Sequence, residues 1–280
     1  MKKYTNQSTG PRGSLPPQLF KYVDMSRISQ ATAQFVDYMN RLGQTFHINV
    51  DHNSPISTVK CKELSGDNLF GQPVTLQYID SGMNGSVYDM HIGDQRFALK
   101  INRSIYSDTS ELETMHFQNQ VRNLLNKIYI GSTFEFGGQV YSWLLMDFVP
   151  DSDRDSFDRT HERLFYANLT KGLVYEDWSE DNLKNGKVID RGGLWKRPLP
   201  LTRVEVDFMK KMVHAMRTDN MPAFEKMATG AISAHPMVID YMMDAMMRML
   251  GNKTPARFRK FRVVITDKYN IIKKTGRAGR

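Results

Sequence analysis

The stretch 81–88, which reads Ser-Gly-Met-Asn-Gly-Ser-Val-Tyr, decides the fold because it places two glycines between candidate strands. Apolar and polar side chains alternate over residues 74–79 before it, and two further candidate strands, 86–92 and 95–101, follow. Gly93-Asp94 joins these last two runs, and such a pair predicts a hairpin. The glycine loop is therefore predicted at a strand-to-strand turn, which disfavours the strand-to-helix phosphate loops of Rossmann and Walker proteins.

Five further pieces of sequence follow this stretch in a fixed order. They are Phe97-Ala98-Leu99-Lys100, Glu113, Met146-Asp147-Phe148-Val149-Pro150, Asp177 with Asn182 five residues later, and Asp190-Arg191-Gly192. Each piece alone is common by chance. All six in one order indicate a single site that several elements build together.

The first pieces carry groups that are suited to holding phosphates. Gly82 and Gly85 have no side chains, so the loop backbone can lie against phosphate oxygens. Lys100, at the end of a strand, can reach the α- and β-phosphates. A predicted helix supplies Glu113, with Glu111 as the alternative, as the carboxylate that holds Lys100 in place. Without the other pieces, Lys100 would be interpreted as a solvated lysine at a strand end.

The apolar members of the series are predicted to hold a nucleotide base. Val87 and Ala98 lie on adjacent predicted strands and would face adenine. The apolar strand that ends at Met146 runs into a turn, where the backbone groups of Asp147 and Val149 can hydrogen-bond the adenine edge. Together with the phosphate-binding groups, these residues predict ATP as the cofactor.

Two carboxylates and one amide supply the remaining chemistry. Asp177 is the candidate catalytic carboxylate, which accepts the proton of a substrate hydroxyl. Asn182 and Asp190 flank a predicted hairpin through Asn185-Gly186, and their side-chain oxygens suit Mg²⁺, a hard cation. A turn or helix-capping role in an acidic loop is the alternative for Asp177.

The six pieces resemble those of the protein-kinase superfamily, and most closely the reduced kinases that bacterial secretion systems inject into host cells. The similarity covers about residues 70–195. It implies an α+β fold with two lobes, a five-stranded antiparallel N-lobe and a trimmed helical C-lobe. It also implies ATP- and Mg²⁺-dependent phosphorylation of Ser or Thr hydroxyls in a host protein, with Asp177, Lys100 and Glu113 as the catalytic residues.

The sequence departs from the usual kinase pattern at several positions. Asp80 stands where the first loop glycine usually lies, Tyr175-Glu176-Asp177 replaces His-Arg-Asp, Ser179 replaces a common lysine, and Arg191 replaces the Phe of Asp-Phe-Gly. None of these changes removes the phosphate lysine, the catalytic aspartate or a metal ligand. Because no arginine precedes Asp177 to engage a phosphorylated activation loop, constitutive activity is our hypothesis.

The chain is predicted to divide into five segments. Residues 1–20 are rich in Ser, Thr, Gly, Pro and Gln and are predicted to be disordered. Residues 21–70 form a helical extension and linker, 71–147 the N-lobe, 148–252 the reduced C-lobe and 253–280 a basic C-terminal tail. This tail holds ten basic residues and one acid in a chain of net charge +8. An acidic partner could therefore bind it, and a merely solvated tail is the alternative.

The length and composition of the chain limit the classes of protein to which it can belong. With 280 residues and 40% hydrophobic content, the chain can bury a sizeable core. No apolar run approaches the roughly 20 residues that span a bilayer, and the polar start resembles no cleaved secretory signal. The one cysteine, Cys61, excludes an intrachain disulfide. The resemblance implies a soluble effector that is secreted into a host cell and acts in its cytoplasm, with a phage-encoded kinase as the competing origin.

Other functions are compatible with the same sequence. The fold could serve as a pseudokinase scaffold, or it could transfer AMP rather than phosphate. The basic segment 253–280 could make the chain a non-catalytic polyanion-binding protein. Small-molecule phosphotransferases share the Asp-x4-Asn spacing and the following Ile-Asp, although their helical substrate platform is usually longer than this chain offers.

Overall fold

A computed structural model gives the fold of the chain. It describes residues 11–44, 47–49, 58–60, 68–81, 85–102, 123–136, 139–150, 154–175, 182–190, 194–196, 198–250 and 256–276. Contacts within the chain divide it into two compact units, Met1–Pro150 and Asp151–Arg280. We call them unit 1 and unit 2. The two-lobed arrangement of a kinase stays a prediction.

Unit 1 is built around a curled antiparallel sheet of seven strands. In spatial order these are β1 (Arg12–Gly13), β8 (Ile128–Phe136), β9 (Gln139–Asp147), β7 (Gln95–Asn102), β6 (Gly85–Ile92), β5 (Gln72–Ser81) and β4 (Asn68–Leu69). The sequence predicts the five long strands β5 to β9, but the expected number of strands in the sheet, five, is wrong. The two additional edge strands have two residues each, which is too short to leave a periodic pattern in the sequence.

One face of this sheet carries the main core of unit 1. The helix α1 (Ile28–Gln44) packs there through buried residues at helical spacing, namely Ala31, Phe35, Tyr38, Met39 and Leu42. Trp143 of the sheet meets Phe35 edge-on and donates its indole N–H to Asn40 Oδ1 at 3.0 Å. The helical part of the predicted extension is therefore confirmed, and its apolar face packs on the sheet.

Residues 11–22, which we call the N-terminal strap, lie against this sheet, although the sequence predicts disorder over 1–20. Strand β1 pairs with β8, and a 3-10 helix follows at Pro17–Tyr22. Leu15 and Leu19 are 1% and 0% exposed within the main core. Full burial of a leucine contributes about 1.5–3 kcal/mol. This gain offsets the cost of ordering a segment that is rich in Pro, Gly and Ser.

The connection between α1 and the sheet contains two short strands that the sequence predicts as irregular chain. These strands, β2 (His47–Asn49) and β3 (Thr58–Lys60), form a separate antiparallel pair. The part of the predicted helix that carries Glu113 lies outside the described residues.

Unit 2 is mainly helical. Its helices are α2 (Arg154–Lys171), α3 (Arg203–Arg217), α4 (Met221–Ala234), α5 (Pro236–Leu250) and α6 (Ala256–Lys274). The first four lie in the segment 148–252, for which the sequence predicts a helical C-lobe, and Met209, Met212 and Met216 of α3 are fully buried. Two short antiparallel pairs lie between α2 and α3: β10 (Leu173–Tyr175) with β13 (Leu194–Lys196), and β11 (Leu183–Lys184) with β12 (Lys187–Val188).

Most of the predicted basic tail is the helix α6. Phe258, Phe261, Ile265 and Ile272 recur at helical spacing and are fully buried in the core of unit 2. The cations occupy the rest of the helix surface, so the segment 256–274 is a folded part of unit 2. Within the described ranges, no helix combines the length and the apolar content that crossing a membrane requires.

Candidate active site

The predicted base-binding residues come together on the second face of the sheet in unit 1. They belong to a small apolar patch that consists of Ala98, Ile128, Leu144 and Met146, with Val87 and Phe148 packed against them. Ala98 lies opposite Met146 in the β7–β9 register. Side chains that alternate with these along the strands, such as Leu99 between Ala98 and Lys100, lie in the main core on the first face. An apolar patch bordered by polar groups is suited to a flat aromatic ligand such as a purine.

Lys100 lies on the same face as the apolar patch, two residues beyond Ala98 along β7. The register places it between Val87 on β6 and Leu144 on β9. Only 8% of Lys100 is exposed. Lysine is seldom buried to this extent, because desolvating an ammonium group costs several kcal/mol before any compensation. Lys100 is therefore a candidate for a role that needs its charge.

Gly85 begins β6 opposite Asn102, and a side chain at this position does not fit. A Cβ on Gly85 would lie 2.1 Å from the Ile101 carbonyl oxygen and 2.6 Å from Asn102 Oδ1. Strand packing therefore already requires glycine here, independently of any bound phosphate. The other predicted loop glycine, Gly82, lies outside the described residues.

The backbone groups of Asp147 are predicted to bind the adenine edge. They are hydrogen-bonded by Asn126 and Lys127, which directly precede β8. The Asp147 N–H donates to the Lys127 carbonyl at 3.0 Å, and the Asp147 carbonyl accepts from Asn126 Nδ2 at 3.0 Å. A carbonyl oxygen can accept two hydrogen bonds, so the bond from Asn126 does not by itself exclude a ligand amino group. The base contact that is predicted for Asp147 therefore falls to its carbonyl, because its N–H is bound to Lys127. Val149, the other predicted contact, is partly buried just beyond the strand.

A charged cluster on the sheet lies beside Phe148. Arg96 donates from Nε to Asp89 at 3.0 Å and from a terminal nitrogen at 2.7 Å, and its guanidinium lies 3.5 Å from the centre of the Phe148 ring. His91 Nε2 lies 3.2 Å from the same carboxylate. The hydrogen bonds with Asp89 raise the pKa of Arg96. This cluster fixes the Phe148 side chain next to the backbone that is predicted to meet the base.

In unit 2, the two predicted metal ligands flank the hairpin β11–β12. Asn182 precedes β11 and Asp190 follows β12, and the Ile189 N–H donates to the Asn182 carbonyl at 2.9 Å. The Tyr175 hydroxyl donates to the Asp190 carbonyl at 2.8 Å, which ties the end of the hairpin to β10. Both candidate side chains are partly exposed. An amide oxygen and a carboxylate at one end of a hairpin fit Mg²⁺.

The turn of this hairpin is anchored to α2. Arg163 donates from a terminal nitrogen to the Gly186 carbonyl at 3.1 Å. Burial lowers the pKa of Arg163, with a smaller contribution from the like charge of Arg217. The anchor fixes the hairpin that carries Asn182 and Asp190 to the helical core of unit 2.

Two of the three predicted catalytic residues, Asp177 and Glu113, lie outside the described residues, and their roles stay predictions. In the part of the chain that the structure describes, no three His, Cys, Asp or Glu side chains come together as a metal cluster. A Mg²⁺ site at Asn182 and Asp190 therefore stays a prediction.

Sequence reasoning missed several polar residues around these positions. Asn126 and Tyr129 bind Asp147, and Gln18 of the N-terminal strap binds Tyr129. No periodic pattern marks such contacts, because the partners come from different elements. Asn102 and Ser142 form a fully buried pair across β7 and β9, and among the described residues neither side chain has a hydrogen-bond partner.

No family model matches the sequence, and no curated protein matches it. Among solved structures, the chain is similar to the structure of vaccinia related kinase 3, with 9% sequence identity and a TM-score of 0.37. This match covers 78% of the chain and 92% of the kinase chain.

Proposed function

We propose that the chain is an ATP- and Mg²⁺-dependent phosphotransferase with a protein-kinase-like fold, which phosphorylates Ser or Thr hydroxyls of a protein. The observation that carries this proposal is the buried Lys100 beside the apolar patch, on one face of one sheet. The base lies on the patch at Ala98, and the phosphates extend along β7 toward Lys100. One face of the sheet then meets both the apolar and the anionic end of ATP.

The spacing along β7 supports this assignment. Ala98 and Lys100 are two residues apart on an extended strand, so their Cα atoms are about 6.6 Å apart. The lysine side chain extends further and can bring its ammonium group to a phosphate while the base contacts Ala98. At the other end of the patch, the Asp147 carbonyl, which accepts from Asn126, is the acceptor proposed for the adenine amino group.

The remaining groups are assigned from the sequence and from unit 2. Asn182 and Asp190 hold Mg²⁺, which supplies positive charge for the phosphate oxygens. Asp177 accepts the proton of the substrate hydroxyl, and Glu113 holds Lys100 in place. A host protein as the substrate, reached by a secreted effector or a phage-encoded kinase, is proposed on the resemblance of the sequence alone.

The test combines binding and transfer. Titration calorimetry measures ATP affinity, and transfer of labelled γ-phosphate to a protein lysate measures activity. Lys100→Met is expected to reduce transfer about 100-fold or more, because one preorganised charged contact to the reacting group is lost. Lys226→Met removes an exposed lysine of α4 and serves as the matched control. Undiminished transfer in Lys100→Met or in Asp177→Ala would overturn the proposal.

The same experiment separates the alternatives that share the fold. The mass of the labelled product distinguishes phosphate transfer from AMP transfer. A protein that binds ATP in the wild type but modifies neither itself nor any lysate protein would be a pseudokinase scaffold.

A second candidate function, polyanion binding, is favoured by the cations on α6. Arg259, Lys260, Lys273 and Lys274 are exposed on this helix. Because α6 also contributes to the core, charge substitutions rather than deletion test the idea. If the helix binds nucleic acid, Lys273→Gln with Lys274→Gln should reduce the slope of log affinity against log salt by about 0.9 for each lost phosphate contact. Lys100→Met should leave this binding unchanged.

A further inference from the structure

A β-bulge in strand β8 lies next to Asp147. The pairing of β8 with β9 shifts between Ile128 and Ile130, which leaves Tyr129 as an extra residue in the register. A bulge of this kind releases backbone groups from the ladder and redirects a side chain. The Tyr129 carbonyl accepts from the Ser14 N–H at 2.9 Å, and the Tyr129 hydroxyl donates to Asp147 Oδ1.

The N-terminal strap holds Tyr129 from the other side. Gln18 Nε2 donates to the Tyr129 hydroxyl at 2.6 Å, across 111 positions of sequence. The strap is itself fixed to the β6–β7 turn, where Lys21 Nζ lies 2.6 Å from Asp94 and the Tyr22 hydroxyl binds the same carboxylate. Hydrogen bonds from Lys21, Tyr22 and the neighbouring glutamine lower the pKa of Asp94, which keeps this anchor ionised near neutral pH.

Tyr129 is suited to transmit this restraint. It is 6% exposed, and its ring packs edge-on against Phe97 with 6.1 Å between ring centres. Burial raises the pKa of Tyr129 well above its usual value, and the Asp147 carboxylate raises it further, so the hydroxyl keeps its proton and donates. Together with Asn126 and Lys127, it restrains the N–H, the carbonyl and the carboxylate of Asp147.

From this geometry we infer that Gln18 and Tyr129 are positioning residues for base recognition. The strap fixes Asp147 through Tyr129, so that the Asp147 carbonyl meets the amino group of a 6-aminopurine nucleotide. Neither Gln18 nor the Tyr129 hydroxyl touches the nucleotide. The inference rests on the proposed function, because it needs a nucleotide base at the end of the apolar patch.

The test compares two nucleotides and four variants. ATP carries the 6-amino group, and purine riboside triphosphate lacks it. Tyr129→Phe is expected to weaken ATP binding about tenfold, the effect of losing one good hydrogen bond, and to leave the affinity for the analogue unchanged. Gln18→Leu is expected to weaken ATP binding by about threefold, and the double variant should bind no more weakly than Tyr129→Phe, because the two residues act in series. Tyr141→Phe, a ring stacked on Phe134 elsewhere in the sheet, should change neither affinity.

Each outcome decides the inference. Equal losses for both nucleotides would overturn it, since a general loss of structure affects both ligands alike. Unchanged ATP affinity in Tyr129→Phe, or additive losses in the double variant, would also overturn it while the proposed function stands. A wild-type protein that binds neither nucleotide would refute both. Gln18 is exposed, so Gln18→Leu still tests the inference if Tyr129→Phe proves unstable in a thermal unfolding control.

Discussion

Replacement of Asn102 by leucine is expected to stabilise unit 1. Asn102 is completely buried at the end of β7, and among the described residues neither of its amide atoms has a hydrogen-bond partner. A buried polar group without a partner costs about 1–3 kcal/mol, and leucine has the same branching without polar atoms. We expect the free energy of unfolding to rise by about 1–3 kcal/mol, with a rise in melting temperature of roughly 2–4 °C per kcal/mol.

Asn126 is the matched control for this change. It is 1% exposed, its Nδ2 donates to the Asp147 carbonyl, and its Oδ1 has no partner among the described residues. Asn126→Leu therefore removes one hydrogen bond that is made together with one unpaired oxygen, and because these effects oppose each other we expect a smaller gain than in Asn102→Leu, or none. Urea unfolding followed by circular dichroism compares the midpoints at unchanged m-value.

The result that would refute the reasoning is a loss of stability in Asn102→Leu. It would show that the Asn102 amide is hydrogen-bonded in the native protein, for instance to ordered water. Overpacking by leucine also destabilises a core. Asn102→Val, with its smaller side chain, separates the two causes: a gain in stability with valine would identify overpacking as the source of the leucine result.

Four other predictions use the same unfolding measurements. Gly230 lies inside α4, and a methyl group at its Cα would have no atom within 4 Å other than those of its chain neighbours and of the backbone of its own helix, so Gly230→Ala should gain about 0.5–1 kcal/mol. Gly85→Ala should instead lose stability because its Cβ meets the Ile101 carbonyl, and a gain at Gly85 would contradict the crowding. Phe258→Ala should cost about 3–5 kcal/mol, since its ring is fully buried, and a loss below about 1 kcal/mol would contradict the packing of α6. The raised pKa of Tyr129 stabilises the fold below pH 10.0, the usual pKa of tyrosine, and this contribution is lost as pH rises above that value; identical alkaline unfolding profiles for wild type and Tyr129→Phe would contradict the shift.

The long strands could be predicted because their local sequence and their tertiary role agree. Side chains alternate where one face of a strand meets the core, and the turn residues suit the backbone that joins the strands. Gly93, Asn185 and Gly186 have φ values of +60°, +47° and +75°, a left-handed conformation that glycine and asparagine tolerate better than other residues. Because of this agreement, both the hairpin near Lys100 and the hairpin at Asn185 could be predicted from the sequence.

Charge concealed the periodicity of α6. Cations dominate residues 253–280, and their number favours interpretation as a solvated tail. The apolar residues Phe258, Phe261, Ile265 and Ile272 nevertheless follow the spacing of one helical face, and this face is buried in the structure. Separating the apolar pattern from the net charge would have predicted the helix.

The restraints on Asp147 could not be predicted in this way. They depend on a bulge at Tyr129, which breaks the alternation of β8, and on a glutamine far away in sequence. Side-chain hydrogen bonds between distant segments leave no periodic signal, because their geometry is set only after the sheet and the strap have packed together. The backbone carbonyl that the sequence marks as a base contact thus owes its orientation to residues that the sequence does not mark.

The two faces of β7 explain why this strand can carry a site at all. Leu99 and Ile101 are buried in the main core, while Ala98 and Lys100 lie on the opposite face. Strand β7 is hydrogen-bonded on both sides, to β6 and to β9, so its backbone has little freedom to move. Contacts built on such a strand are positioned more rigidly than contacts on a loop. The alternation of side chains between the two faces allows the strand to be predicted from the sequence. It also fixes Lys100 and the apolar patch relative to each other.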